Sequence, residues 1–280
     1  MTRLSSSASA EGNLAAQIVH IVYEHRFLTA PQIGRLIQLD TPMVASSLDR
    51  LVRSDHLAAV RRPVLHASQP DIVYALAHQG ANRVAADLGI DRRLVRWRKY
   101  HNLVGLPYVE HRLATNDVRI ALTVGGQRLG VIMDDWRYEV PMKEDVDDPD
   151  EGAPPLIFRP DAYIRLLTGP RRIHFFLEVD MATETHARFA QKVRRYLAYK
   201  DARLFRYRFG GHAFRVLTVA PTATRIGSLK RIAEREGARR AFWVAPITDV
   251  TPERIAAPIW RLAGGDSPAA LVELGGRMAT

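Results

Sequence analysis

The sequence predicts a mixed α/β (α+β) chain of two domains, residues 13–90 and 107–262, joined by a basic linker at 91–106. Three observations lead there. Helix-period segments followed by a hairpin pattern fill the first 90 residues. An α-β-β-β-α-β alternation fills most of the rest. The length, 280 residues, is too great for one small domain and suits two.

The first helix is expected from Asn13 to about Arg26, with Leu14, Ile18, Ile21 and Val22 on one face. The residues before it, Met1 to Ser7, lack a signal-peptide core and read as a short disordered tail. Thr29 is a good N-cap for a second helix, Ala30 to Ile37. Thr41 caps a third, with Pro42 in the first turn, where its missing donor does no harm. In that helix Val44, Leu48, Leu51 and Val52 face inward, and Ser46, Ser47, Arg50 and Arg53 face out. A hairpin follows, His56 to Arg62 and Ile72 to Leu76, around a loop from Pro63 to Pro70. A fourth helix, Gln79 to Leu88, ends at Gly89. Three helices and a hairpin make the order of a winged helix-turn-helix, whose third helix enters the major groove and whose wing reaches the backbone or minor groove. Ser46, Ser47, Arg50 and Arg53 are therefore groove candidates, and Arg61 and Arg62 wing candidates. The plainer alternative is that Arg50 and Arg53 are solvated helix charges on a protein-docking module. Trp97 and Tyr100, among the basic residues of the linker, lie along a phosphate backbone or form an amphipathic connector.

In the second domain a helix runs from Glu110 to Leu122, and strands are expected at Val131–Trp136 and Tyr138–Met142. Two apolar stretches ending in carboxylates follow, Leu156 to Ile164 with Asp161, and Ile173 to Asp180 with Glu178. Gly169-Pro170 turns between them. A long helix from Thr183 to about Lys200, a strand Phe214–Val219, a helix Thr224–Glu236, a strand Ala241–Ala245 and an apolar segment around Ile259-Trp260 complete the domain.

Composition narrows the classes. No run of 18 apolar residues exists, so no membrane partner or span is expected. The chain has no cysteine, which excludes disulfides, thiol catalysis and thiolate metal sites and fits a cytoplasmic location. The net charge is +10, and only Lys99, Lys143, Lys192, Lys200 and Lys230 are lysines. Arginine forks suit phosphates, so double-stranded DNA is the expected partner; GC-rich coding is the bland explanation of the same bias. Two basic blocks flank an acidic one, whose peak, Glu144 to Glu151, reads as a solvated loop.

The strand carboxylates carry the chemistry. Period two puts Glu178 and Asp180 on one side of their strand, and a hairpin brings Asp161 near both. Such a cluster repels itself unless a cation sits in it. Asp161, Glu178 and Asp180 are thus the expected metal ligands, and a hard cation, Mg2+ or Mn2+, the expected ion. Phe189, Val193, Tyr196 and Leu197 form the buried face of the following helix, and Lys192 sits at its edge, able to aim an ammonium at the carboxylates. Asp161, Glu178, Asp180 and Lys192 are the catalytic candidates. Lys192 snorkelling over apolar surface is the equal alternative. His111 and Asn116 are expected to line the same cleft.

Pro160-Asp161 and Glu178 resemble the PD-(D/E)XK nuclease signature, with Asp180 standing where that signature has a lysine; the resemblance also implies Glu110, on the first helix of the domain, as a fourth metal ligand. The whole chain, from about residue 13 to 260, resembles the replication-relaxation protein family. The residues that carry this resemblance are Glu110 to Val118, Arg159 to Ala162, Phe176 to Asp180, Lys192 to Tyr196 and Phe214 to Val219. It implies a winged helix joined to a nuclease-like domain, on plasmids and other mobile elements. It also implies partners among replication or conjugation proteins, and a homodimer is a further expectation. Three functions follow: a DNA-binding protein of mobile-element replication or relaxation, a Mg-dependent endonuclease or nickase, or a winged-helix transcriptional regulator with a non-catalytic C-terminal domain.

Overall fold

The computed structural model describes residues 2–62, 71–144 and 156–271. The fold is mixed α/β and divides into two compact units, Met1–Asn116 and Asp117–Thr280. Among the described residues no helix is long and apolar enough to cross a membrane.

The first unit opens with α1 (Thr2–His25), so the segment expected as a disordered tail is helical instead. Nothing between Thr2 and Glu11 breaks a helix, since the first glycine is Gly12 and no proline occurs. A short strand, β1 (Phe27–Thr29), leads into α2 (Ala30–Ile37). Thr29 caps α2 as expected and forms a reciprocal capping box with Gln32. At α3 (Thr41–Arg53) the N-cap is Asp40 rather than Thr41. Strands β2 (Leu57–Arg62) and β3 (Asp71–Leu76) form the hairpin, and β1 adds to its other side in the order β1-β3-β2. Then α4 (His78–Leu88) ends at Gly89 in the left-handed region, φ +62°. Ile18, Val22, Phe27, Ile33, Val44, Leu48 and Leu51 are buried, which is the amphipathic stripe the spacing implies. Residues 91–105 are ordered into two 3-10 turns, and Val95 and Trp97 are buried among them, with Arg92 over the Trp97 ring.

Helix α5 (Leu106–Ile120) continues as a π-turn through Gly125 into α6 (Gly126–Arg128). Its first eleven residues belong to the first unit, where Asn116 is fully buried.

The second unit is built on a seven-stranded sheet. The strands are β4 (Val131–Tyr138), β7 (Ala162–Thr168), β8 (Arg171–Val179), β9 (Arg215–Ala220), β10 (Phe242–Pro246), β11 (Trp260–Leu262) and β12 (Pro268–Ala269). They lie side by side in the order β12-β11-β10-β9-β8-β7-β4. β8, β9 and β10 are parallel and the other pairs antiparallel. A separate pair is formed by β5 (Met142–Glu144) and β6 (Leu156–Phe158). Two expectations fail here. No strand runs from Tyr138 to Met142, because Glu139 turns left-handed (φ +48°) and Pro141 lacks a donor. Leu156 to Ile164 is two strands, not one, broken at Arg159-Pro160-Asp161. The Gly169-Pro170 turn does join β7 to β8, with Thr168 opposite Arg171.

One face of the sheet is covered by α7 (His186–Asp201), α8 (Leu204–Phe209) and α9 (Ala223–Arg235). Tyr163, Phe176, Val216 and Phe242 point into this layer, where Phe189, Val193, Tyr196, Phe205 and Leu229 meet them. Tyr199 fills the place expected of Leu197, which is only half-buried. Phe176 is the hub of the aromatic packing, with ring centroids of Tyr196 and Phe214 at 5.6 and 4.9 Å. The acidic segment 145–151 and the hairpin loop 63–70 lie outside the described residues.

Candidate functional site

Period two along β8 sends Glu178 to the side of Phe176, beneath α7. The carboxylate is buried, and both its oxygens are used. Lys192 Nζ donates to Oε2 at 2.8 Å and the Tyr196 hydroxyl donates to Oε1 at 2.5 Å. Lys192 and Tyr196 are four residues apart on α7, so one helix face delivers both donors. Lys192 Nζ also reaches Glu184 Oε2 at 3.2 Å. Burial pushes the Glu178 carboxyl up to about 7, with Lys192 pulling it down and Asp161 adding to the rise. Burial opposes the charge on Lys192 too, but that side chain is partly open to a cleft, and Glu178 and Glu184 outweigh the burial and hold its pKa above the ordinary value. Burial and the neighbouring Glu178 raise the Tyr196 hydroxyl well above its usual value, so it stays a donor.

Asp161 sits in the break before β7. Its backbone N–H donates to Leu177 O at 3.0 Å, and its Oδ2 accepts from Val179 N–H at 2.7 Å. The hairpin register that places Ala162 opposite Leu177 thus brings Asp161 beside the end of β8.

Asp180 goes elsewhere. Arg225, in the first turn of α9, grips it through both oxygens, Nε to Oδ1 at 3.0 Å and Nη2 to Oδ2 at 2.6 Å. Ala182 N–H donates to Oδ1 at 2.6 Å and so secures a turn in which Ala182 is left-handed, φ +62°. The same guanidinium donates to Glu184 O at 2.6 Å, tying the β8–α7 connection to α9. The hydrogen bond to Asp180 raises the Arg225 pKa further. Asp180 therefore holds a turn and a helix. Arg225, Tyr196 and Glu184 were not anticipated. One signal was available for Arg225: Thr222 caps α9, accepting from Arg225 N–H at 3.2 Å, so the arginine stands at the positive end of the helix, where a cation needs an anionic partner.

Glu178, Glu184 and Lys192 line a cleft of about 250 Å³ together with Arg159, Arg188, Gln191 and Arg195. Its charges are mixed, with four cations and two carboxylates. In this arrangement protein donors and cations occupy the strand carboxylates. Glu178 and Asp180 spend both oxygens on protein cations and donors, and Asp161 Oδ2 is bound to the backbone. Among the described residues no three histidine, aspartate or glutamate side chains gather as a metal site. Glu110, expected as a fourth ligand, is on α5 within the first unit. Asn116 lines no cleft; its amide donates to His25 O and Phe27 O at 3.2 and 2.7 Å and anchors α5 to β1.

In the first unit, Ser46, Arg50 and Arg53 are exposed along α3. Ser47, expected to face out, is buried, with its hydroxyl 3.4 Å from Arg50 Nη2. Arg53 Nε donates back to Asp49 O at 3.4 Å. Arg61 and Arg62 end β2 opposite Ile72 and Asp71, and their side chains lie outside the described residues.

A family model described as replication-relaxation matches residues 19–213. No curated protein matches the chain. Among solved structures, the restriction endonuclease FokI matches with 11% identity and a TM-score of 0.30, covering 88% of this chain and 47% of that one. The chain thus spans about half the length of FokI, and so weak a likeness carries no inference.

Proposed function

The chain belongs to the replication-relaxation family, and from that premise we propose that it is a DNA-binding protein of plasmid or mobile-element replication and relaxation. In this reading the first unit is a winged helix that contacts duplex DNA through α3, and the second is a nuclease-like domain that binds without a resident metal. The observation that carries it is the exposed row Ser46, Arg50 and Arg53 on the third helix, directly before an antiparallel hairpin. That helix position reads base edges in winged helices, and arginine is the side chain best suited to do so. The net charge of +10 supplies the attraction for phosphates.

A nickase or endonuclease dependent on Mg2+ or Mn2+ is a second reading, favoured by one contact: Lys192 reaches Glu178 at 2.8 Å from the helix rather than from the strand. Both readings meet in one set of measurements. Binding of a labelled duplex across a salt series is expected to give a log–log slope of magnitude above about 4, for five or more phosphate contacts. Arg50→Ala is expected to reduce discrimination between sequences by about 1–3 kcal/mol, whereas Arg61→Ala should weaken all sequences alike. A slope near zero sinks the DNA reading. Magnesium- or manganese-dependent nicking of a supercoiled plasmid that Glu178→Ala abolishes would replace the binding role with the catalytic one.

A further inference from the structure

The opposite ends of the parallel strands carry a second charged feature. Arg172 at the start of β8, Arg215 at the start of β9, Lys200 at the end of α7, His212 before β9, and Arg239 and Arg240 before β10 line an open basin of about 560 Å³. Among the described residues no aspartate or glutamate lines it. Arg172, Lys200, His212 and Arg239 are exposed at the rim. Arg215 lies deeper, half-buried, with its guanidinium 5.0 Å from the Trp243 ring centroid. Burial, and then Arg240 beside it, hold the Arg215 pKa below the ordinary value.

That is the reverse of Arg225, where a carboxylate raises it. A half-buried guanidinium such as that of Arg215 is stabilised by an anion that reaches it. The wall is built closely: a Cβ on Gly211 would lie 2.6 Å from His174 Nε2, so only glycine lets this loop close on the ring. His174 is itself fixed by the Tyr163 hydroxyl, 2.7 Å from Nδ1. Arginine forks at the ends of central strands suit tetrahedral phosphate oxygens, and a basin of about 560 Å³ has room for more than one such group.

We propose that this basin binds the phosphodiester backbone of DNA, as a second site distinct from α3. The ligand class rests on the DNA-binding reading above, whereas the site itself does not depend on α3.

The test uses the full chain, a labelled duplex and a salt series. The combined variant Arg172→Ala, Lys200→Ala and Arg239→Ala removes three exposed cations and should keep the wild-type unfolding temperature. Its salt slope is expected to fall by roughly 2–3, at about 0.9 per phosphate contact, with affinity at 0.1 M salt down at least about tenfold. Arg172→Lys with Arg239→Lys should retain most of the slope. Wild-type slope and affinity in the alanine variant, at an unchanged unfolding temperature, overturn the proposal. So does displacement of DNA by inorganic phosphate beyond that by chloride of equal ionic strength, which would mark a pocket for a single free anion. Arg50→Ala with Arg53→Ala separates the two readings. Loss of binding there and none in the basin variant leaves α3 alone, and the opposite result leaves the basin alone.

Discussion

At the C-terminal ends of β8 and β9, the buried carboxylates are met by cations; at the N-terminal ends of the same strands, basic side chains converge with no aspartate or glutamate among the described lining residues. The two ends are separated by most of a nine-residue strand, roughly 25 Å at about 3.3 Å per residue. The difference teaches which charges serve the fold and which await a ligand. Glu178 with Lys192, and Asp180 with Arg225, are internally neutral and satisfy one another's hydrogen bonds, so they lock β8, α7 and α9 together. The basin gathers Arg172, Lys200, Arg215 and Arg239 with no carboxylate among its described lining residues.

The comparison would break first at Arg225. Arg225→Ala leaves Asp180 buried and unpaired, and we expect a loss of about 3–5 kcal/mol in urea unfolding. Asp180→Asn placed on that background should recover most of it, because the amide oxygen still accepts from Ala182 N–H without carrying charge. A loss below about 1 kcal/mol for Arg225→Ala would mean that the pair is not a lock. The prediction also separates Asp180 from the role of metal ligand, in which removing a cation from beside it should help rather than harm.

How much of this was legible follows the range of the interactions. The strand order around the carboxylates, the Gly169-Pro170 turn and the Thr29 cap are encoded within a few residues, and a sequence displays them. Lys192 was legible too, because helical spacing from Phe189 puts it at the edge of the buried face. Asp180 was misread, because its partner lies 45 residues on and only the sheet brings α9 to β8. Ser47 was misread as an outward groove residue because helix periodicity is blind to small residues that admit a neighbour. The basin was illegible: its basic residues come from four separate segments, and the plain excess of arginine gives no hint of where they converge.

A second way to sharpen the contrast is pH. Glu178 titrates at about 7 in the folded protein against an ordinary 4.5, so between those values the folded state holds a proton that the unfolded chain has released. By linkage, this group's contribution to stability is greatest below 4.5 and declines as pH rises to about 7. Lys192 follows the same sign in a higher window: its raised pKa contributes below its ordinary 10.5, and the contribution is lost only as pH climbs above that. Urea midpoints at pH 5 and pH 7.5 should therefore differ less in Glu178→Gln than in the wild type. Equal pH dependence in the two proteins would place the titration on some other group.

The smallest effect is expected at the basin, and its sign is what matters. Arg239 is exposed, and the charged residues that share its lining, among the described residues, are cations. Arg239→Ala therefore removes repulsion and little packing. In the absence of DNA, urea unfolding should change by no more than about 0.5 kcal/mol, the usual range for a surface substitution, and in the stabilising direction. The gain should vanish in about 0.5 M salt, where the screening length falls below about 5 Å and exposed charges several ångströms apart no longer interact. The same substitution should weaken DNA binding, so that stability and affinity move in opposite directions at one residue. At Arg225 they cannot be separated in this way, since any loss of binding would follow from loss of the fold. If Arg239→Ala instead costs more than about 1 kcal/mol, well outside the surface range, its guanidinium has a structural anion, and the two ends of the sheet are alike after all.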